Sequence, residues 1–202
     1  PAIHTAALEA CGMEGTYTAR RVDEAGMAGA VDEVRYGRLS GANVTMPHKR
    51  LAFELADRVA ETALRSGAVN TLVGREGEVW GYNTDVDGIR AVWNSIPLPT
   101  DRPVLILGAG GAAAGAVVAV ADGPIVVSAR RDQAAAALID RTRTDGSIVP
   151  WGTPVNGAVV VNATPIGMDE ELLPRDVLDA ASGFFDLTYG PVESPSIRHS
   201  RE

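Results

Sequence analysis

The chain has 202 residues, 46% of them hydrophobic and 22% charged, a balance that excludes a disordered polyelectrolyte and suits one large or two small globular domains. Its formal net charge of −8 argues against a broad nucleic-acid surface or an anionic-membrane surface. Cys11 is the only cysteine, which rules out an intrachain disulfide and a thiolate metal cluster.

Ile3, Ala6, Ala7 and Ala10 recur with a helical period and predict a first helix that stops at Gly12, with His4 packing or capping within it. A strand is expected at 16–22, then a helix over 25–39 that turns Met27, Ala30, Val31 and Val34 inward, then a short strand at 41–45. The stretch from Asn43 to Lys49 reads NVTMPHK. It alternates Asn43 and Thr45 on one side with Val44 on the other. Pro47 ends the strand and opens the next helix. A polar pair and an amine thus meet at one strand end, where parallel sheets bind small molecules. Lys49 is the only lysine among 18 basic residues, so it reads either as a retained compact ammonium or as chance. Helical residues continue to Ser66. A strand over 68–73 carries Asn70 and Thr71, and the turn at 74–77 joins it to a strand over 78–82 as a hairpin. Asn83 to Gly88 forms a second strand-to-helix corner, at which Asp85 fits either a capping carboxylate or a functional one.

Pro97, Pro99 and Pro103 mark a domain connection, dividing the chain into 1–96 and 97–202. Residues 104–107 are four β-favouring apolar residues, the pattern of a buried parallel strand. Gly108, Gly110 and Ala113 then match G-x-G-x-x-G/A. The first permits a tight turn, the second lets a pyrophosphate approach the backbone, and the third lets helix and strand pack closely. A helix start in this position offers unpaired N–H groups to an anion. The second strand, 125–127, ends in Ser128, Ala129, Arg130 and Arg131, where an acidic residue would hold the ribose of NAD. Two guanidiniums suit a 2′-phosphate instead, so NADP is the expected cofactor. The fingerprint by itself also fits FAD, S-adenosylmethionine or a plain turn, and the arginines also fit solvated charges ahead of a helix at 134–139 capped by Asp132. The uncharged run 104–121 approaches membrane-spanning length, but its glycines split it into a strand and a helix. A helix to about Thr144, an unassigned stretch around Trp151, a strand over 158–161, the loop from Asn162 to Met168, a helix over 177–181, a strand over 184–187 and Tyr189-Gly190-Pro191 follow. The opening residues show no secretory pattern, and three scattered histidines predict no metal site.

Six motifs, NVTMPHK (Asn43 to Lys49), GAVNTL (Gly67 to Leu72), GYNTDVDG (Gly81 to Gly88), GAGGAA (Gly108 to Ala113), NATPIGM (Asn162 to Met168) and DLTYGPVESP (Asp186 to Pro195), resemble those of the shikimate dehydrogenases, in that family's order. The resemblance implies an α/β enzyme with an N-terminal substrate domain built on a mainly parallel sheet, a Rossmann-like NADP-binding domain and a cleft between them. It implies interconversion of 3-dehydroshikimate and shikimate in the cytoplasm, on the route to aromatic amino acids and chorismate, by a monomer or homodimer whose partner is a small molecule. Lys49 matches the family's catalytic lysine and Asp85 its partner; Thr45, Asn70 and Tyr189 match substrate contacts, with Asn43 beside them. The cofactor positions match Gly108, Ala109, Gly110, Gly111, Ala112, Ala129, Arg130, Arg131, Thr164 and Leu187, and Glu61 aligns with a position sometimes assigned to it.

The chemistry asks for such groups independently, since hydride transfer from a carbinol carbon requires an acid or base in reach of its oxygen. A free lysine, with a pKa of about 10.4, donates as an ammonium in the reductive direction. His48 is the competing candidate for acid or base, since histidine is the side chain most often used for proton transfer. The family pattern also includes a first strand and two serines ahead of the position of Pro1, and return helices bearing a glutamine after Pro195. Their absence from the 202 residues fits either a partial sequence or a form with altered substrate recognition. A quinate-preferring or NAD-using dehydrogenase and a non-catalytic NADP-binding paralogue therefore stand as alternatives.

Overall fold

The computed structural model describes residues 1–96, 102–120, 123–190 and 192–201. The expected domain junction at 96/97, with Pro97 and Pro99, lies outside the described residues, as do Ala121 and Pro191. Two sheets organise the described chain.

The first contains β1 (Gly41–Asn43), β2 (Arg58–Val59), β3 (Thr71–Arg75) and β4 (Glu78–Tyr82) in the order β1-β3-β4-β2. β3 pairs antiparallel with both β1 and β4, and only β2 runs parallel to β4. This sheet is therefore mixed, not mainly parallel as the resemblance implied. The reason is local: Glu76 and Gly77 take φ of 52° and 81°, which closes a two-residue hairpin, and a hairpin can only join antiparallel neighbours. On its inner face, helix α2 (Met27–Arg35) buries Met27, Val31 and Val34 against Leu72 and Val79. Ala30, expected inward, is only half-buried.

Three other expectations change. Helix α1 (Ala2–Ala10) forms, but its expected apolar face is open, with Ile3 83% exposed and Leu8 the one half-buried residue. Residues 16–22 join no sheet. Their side chains do not alternate in polarity, and the segment is held instead by side-chain contacts: Tyr17 stacks on His4 and donates to Asn43, Arg20 pairs with Glu33, and the His48 ring meets the Val22 carbonyl. The helix expected to run to Ser66 is split into α3 (Lys49–Leu55) and α4 (Glu61–Ser66) around β2.

Asp57 lies at that split. Its Oδ2 accepts the Val79 N–H at 2.8 Å, and both its oxygens accept from Arg35 Nη2 at 3.1 Å. The backbone donor first, and Arg35 after it, hold the carboxyl below its ordinary range. A depressed folded-state pKa means that the unfolded chain binds more protons, so this contribution is present above about pH 3.9 and is lost as pH falls through the folded-state value. Asp57→Ala is expected to cost about 1 kcal/mol at neutral pH, a modest figure because the carboxylate is partly exposed. Urea unfolding at pH 7 and pH 3 checks it: the gap between wild type and variant narrows at the lower pH.

The second sheet contains β5 (Val104–Leu107), β6 (Ile125–Ser128), β7 (Gly146–Val149), β8 (Val159–Asn162) and β9 (Gly183–Asp186) in the order β7-β6-β5-β8-β9. All four pairings are parallel. β5 is apolar throughout because both faces are covered. Ile106 joins the core of α6 (Gly111–Ala119), while Leu105 and Leu107 join Val160, Leu173 and Val177 on the other side. α5 (Thr84–Ser95) puts Val86 and Ile89 into the α6 core, so the first unit is packed directly on the second. Helix α7 (Asp132–Thr142) starts with Arg131 at the cap and Asp132 in its first turn, so the cap falls one residue earlier than expected. After α8 (Arg175–Asp179) comes a short helix that the sequence reading did not anticipate, α9 (Pro195–His199), capped by Ser194 with Pro195 in its first turn. The strand order changes direction between β5 and β8. That leaves a crevice beyond their carboxyl ends.

Candidate active site

Lys49 opens α3 and Asp85 lies in the first turn of α5, 36 residues later. Lys49 Nζ donates to Asp85 Oδ2 at 2.6 Å, with the two side chains 15% and 30% exposed. The capping alternative for Asp85 falls to its neighbour. Asn83, fully buried, accepts the Asp85 N–H through its own side chain, which leaves the Asp85 carboxylate free to face the lysine.

The carboxylate is held from its other side as well. Asn70 Nδ2 donates to Asp85 Oδ1 at 2.8 Å, and Asn70 Oδ1 accepts the Thr84 N–H and the Thr71 hydroxyl, which fixes the amide's orientation. Asn43 Nδ2 donates to Thr71 Oγ1 at 3.1 Å, and the Tyr17 hydroxyl donates to Asn43 Oδ1 at 2.7 Å. Asn43, Asn70, Asp85 and Lys49 thus share one network. Thr45 stands next to it, exposed, with no side-chain partner among the described residues. Tyr189 is 87% exposed and is not drawn into the network. His48 faces away, its Nε2 2.9 Å from the Val22 carbonyl, which can only accept; that nitrogen carries the proton and holds the chain in place.

Asn70→Ala frees one carboxylate oxygen and orphans the Thr84 N–H. Loss of about 1–2 kcal/mol of stability is expected from the broken contacts. Turnover should fall further than stability predicts, and a thermal midpoint measured beside kcat separates the two.

The pair lies directly on the glycine helix. A Cβ at Gly111 would stand 3.2 Å from Lys49 Cδ, and one at Gly115 would stand 3.5 Å from Asp85 Cβ. A cavity of about 410 Å³ joins Lys49 to Ala109, Gly110 and Gly111. Gly108 takes φ of 112°, and a Cβ there would lie 2.9 Å from the Ala163 carbonyl oxygen, so only glycine lets the turn pass beneath that loop. Gly110 caps α6 without a side-chain acceptor and has nothing within 4 Å of its Cβ direction. Open space in front of unpaired helix N–H groups fits a pyrophosphate. Ala112 follows in the first turn, half-buried, and Ala113 is fully buried under it.

Other expected cofactor positions cluster unevenly. Ala129 is buried, and Arg130 and Arg131 are exposed at the entrance to α7, without an ion pair among the described residues. Thr164 leaves β8 with its hydroxyl and N–H both on Asn162 Oδ1, and Leu187 follows β9, half-buried, donating its N–H to the Asn162 carbonyl. Glu61 opens α4, exposed, and does not line the cavity.

Two residues that the sequence reading passed over shape the crevice. Asn162 and Asp186 are register partners on β8 and β9, and each accepts the N–H and the hydroxyl of the threonine two residues on. Asn162 also donates to Asp186 Oδ1 at 2.9 Å, and Ser194 donates to Asp186 Oδ2 at 2.6 Å. The repeated pattern Asx-x-Thr after an apolar strand was the available signal. Among the described residues no group of three or more His, Cys, Asp or Glu side chains is placed to hold a metal ion, and no helix is long and apolar enough to cross a membrane.

Comparison with known proteins agrees with this geometry. The family model described as shikimate dehydrogenase substrate binding domain matches residues 1–72. A shikimate dehydrogenase (NADP(+)) of Methanocella arvoryzae is 37% identical over 215 residues, covering 100% of this chain and 78% of the relative. A Thermus thermophilus shikimate 5-dehydrogenase, solved in complex with shikimate, superposes with a TM-score of 0.85 at 33% identity, covering 100% of this chain and 77% of that one. A shikimate dehydrogenase solved in complex with NADP+ gives a TM-score of 0.86 at 28% identity, with 100% and 76% covered. A parallel sheet with a glycine turn, set against a second α/β unit that presents an ammonium and a carboxylate, defines a dinucleotide-linked oxidoreductase of two α/β units. Within that class, the chain belongs to the shikimate dehydrogenase family.

Proposed function

We propose that the chain interconverts 3-dehydroshikimate and shikimate with NADP as cofactor, Lys49 handling the proton and Asp85 orienting it. The observation that carries this reading is the Lys49–Asp85 contact of 2.6 Å, seated on the helix that the glycine turn begins. NADP, when bound, supplies or takes up the hydride. The turn at Gly108 to Ala112 would hold its pyrophosphate, Arg130 and Arg131 its 2′-phosphate, and Ala129, Thr164 and Leu187 would line its remaining length.

In the reductive direction the Lys49 ammonium donates a proton to the ketone oxygen of the substrate, and in the oxidative direction its amine takes the proton from the hydroxyl. Asp85 accepts from that ammonium and keeps it from turning toward solvent. Asn70 holds Asp85, and together with Asn43 and Thr45 it presents hydrogen-bonding groups suited to a polyhydroxylated ring. Tyr189 would close on the substrate from the other side only after moving from its exposed position. The 1–96 and 97–202 division follows as substrate-binding and NADP-binding domains.

Mixing the protein with shikimate and NADP and following the absorbance of reduced nicotinamide tests the reading. Saturable reduction is expected, slower with quinate or with NAD. Dinucleotide binding without turnover on either acid would replace it with that of a non-catalytic paralogue. Changing Arg130 and Arg131 together to Ala should raise KM for NADP about 10- to 100-fold, the worth of charge-assisted hydrogen bonds to a phosphate, and leave KM for NAD nearly as before. Equal effects on the two cofactors would remove the arginines from the site.

A further inference from the structure

The far end of the cavity carries charge that the proposed chemistry does not use. Ala134, Ala137 and Arg141 line it from one face of α7, being three and four residues apart. Arg141 lies about 10 Å along the helix axis from Ala134 and about 15 Å from Arg131 at the opposite end. Its Nε donates to the Ser66 carbonyl at 3.2 Å, and its stem lies on Gly67 so closely that a Cβ there would meet Arg141 Cδ at 2.4 Å. No carboxylate pairs with it among the described residues.

Arg50 lines the same cavity from α3, and its Nε is engaged by Glu54 at 2.9 Å. Two guanidiniums therefore share one cavity in a chain of net charge −8. Burial of an unpaired cation and repulsion by a like charge both raise the free energy of this arrangement, and the carbonyl end of α7 offers only partial compensation. Burial, and after it the charge of Arg50, push the Arg141 guanidinium below its ordinary pKa.

We propose that Arg50 and Arg141 form a phosphate-binding subsite at the α3–α7 end of the cavity, separate from the glycine turn. A phosphate dianion would satisfy both guanidiniums, each through its planar fork. Because Arg50, Gly67 and Ala68 belong to the first unit and Arg141 to the second, the bound group ties the two units together beside Lys49. The subsite stands on the cavity and its two cations, independently of the dinucleotide reading. Its phosphate comes from solution, as inorganic phosphate or a small phosphoester, since the dinucleotide's own phosphates fall to the glycine turn and to Arg130 and Arg131.

Titration of inorganic phosphate into the full chain at constant ionic strength, followed by phosphorus NMR and by the thermal midpoint, tests this. Saturable binding is expected in the wild type, weakened about tenfold or more in Arg50→Gln and in Arg141→Gln and unchanged in Arg58→Gln. Arg50 is 77% exposed, so its variant keeps the test meaningful should loss of the Ser66 contact impair folding of the other. Repetition at saturating NADP separates the subsite from the cofactor's own positions: undiminished binding is expected, and full competition overturns a separate subsite. Binding that does not saturate, or that is equal in all three variants, overturns the subsite.

Discussion

Lys49→Ala is expected to lower kcat for shikimate oxidation by about 10²- to 10⁴-fold, the usual worth of a positioned acid or base. The size follows from isolation: Lys49 is the only amine side chain in the sequence, and His48, the nearest alternative, is directed at the Val22 carbonyl. Among the described residues no other basic side chain is drawn into the network that holds Lys49 and Asp85. The effect belongs in kcat, because the ammonium meets the substrate oxygen where charge develops, whereas ring contacts from Asn43, Thr45 and Asn70 would remain. The Lys49 stem lies against Gly111, so truncation also opens space beside the glycine turn; dinucleotide affinity should nevertheless change little, since the turn's N–H groups are untouched. Steady-state rates with both substrates varied, beside a fluorescence titration with reduced cofactor, separate these terms. Turnover within a few fold of wild type would remove Lys49 from the chemistry.

Gly108→Val is expected to weaken dinucleotide binding by about 10- to 100-fold and to cost on the order of 1–3 kcal/mol of stability, because two penalties fall on one atom. A β-branched residue is forced to φ of 112°, and its Cβ would stand 2.9 Å from a backbone oxygen of the loop after β8. Relief requires the turn to lift away from Ala163 or the loop to retreat, and either movement displaces the N–H groups that would face the pyrophosphate. Gly110→Ala provides the contrast, since it has open space around its Cβ direction and an extended backbone. It should fold normally and lose cofactor affinity only. Calorimetric unfolding and a cofactor titration on both variants distinguish a folding effect from a binding one.

The elements read correctly from sequence are those whose signal is local. Residues 104–107, the glycines after them and the alanine-rich helix encode a strand, a turn and a helix within about a dozen positions, and the hairpin at 74–77 is fixed by two residues of positive φ. Failures came where a partner elsewhere decides. Residues 16–22 have strand-like composition but no ladder, because their attachments run through Tyr17, Arg20 and Val22 to other elements. The helix expected through Ser66 is interrupted because Asp57 finds the Val79 N–H across the sheet.

The order of motifs along the chain, the glycine turn and its conformational demand, and the presence of a single amine at a strand-to-helix corner are all determined by the sequence, since each depends only on neighbours and on backbone dihedral limits. Which carboxylate meets that amine is not. Asp85 and Asp87 both stand in the first turn of α5, and only the packing of α5 on α6 turns Asp85 toward Lys49 and leaves Asp87 65% exposed. The phase of a helix about its own axis is set by the surface it buries, and that surface is assembled from residues far away in the chain.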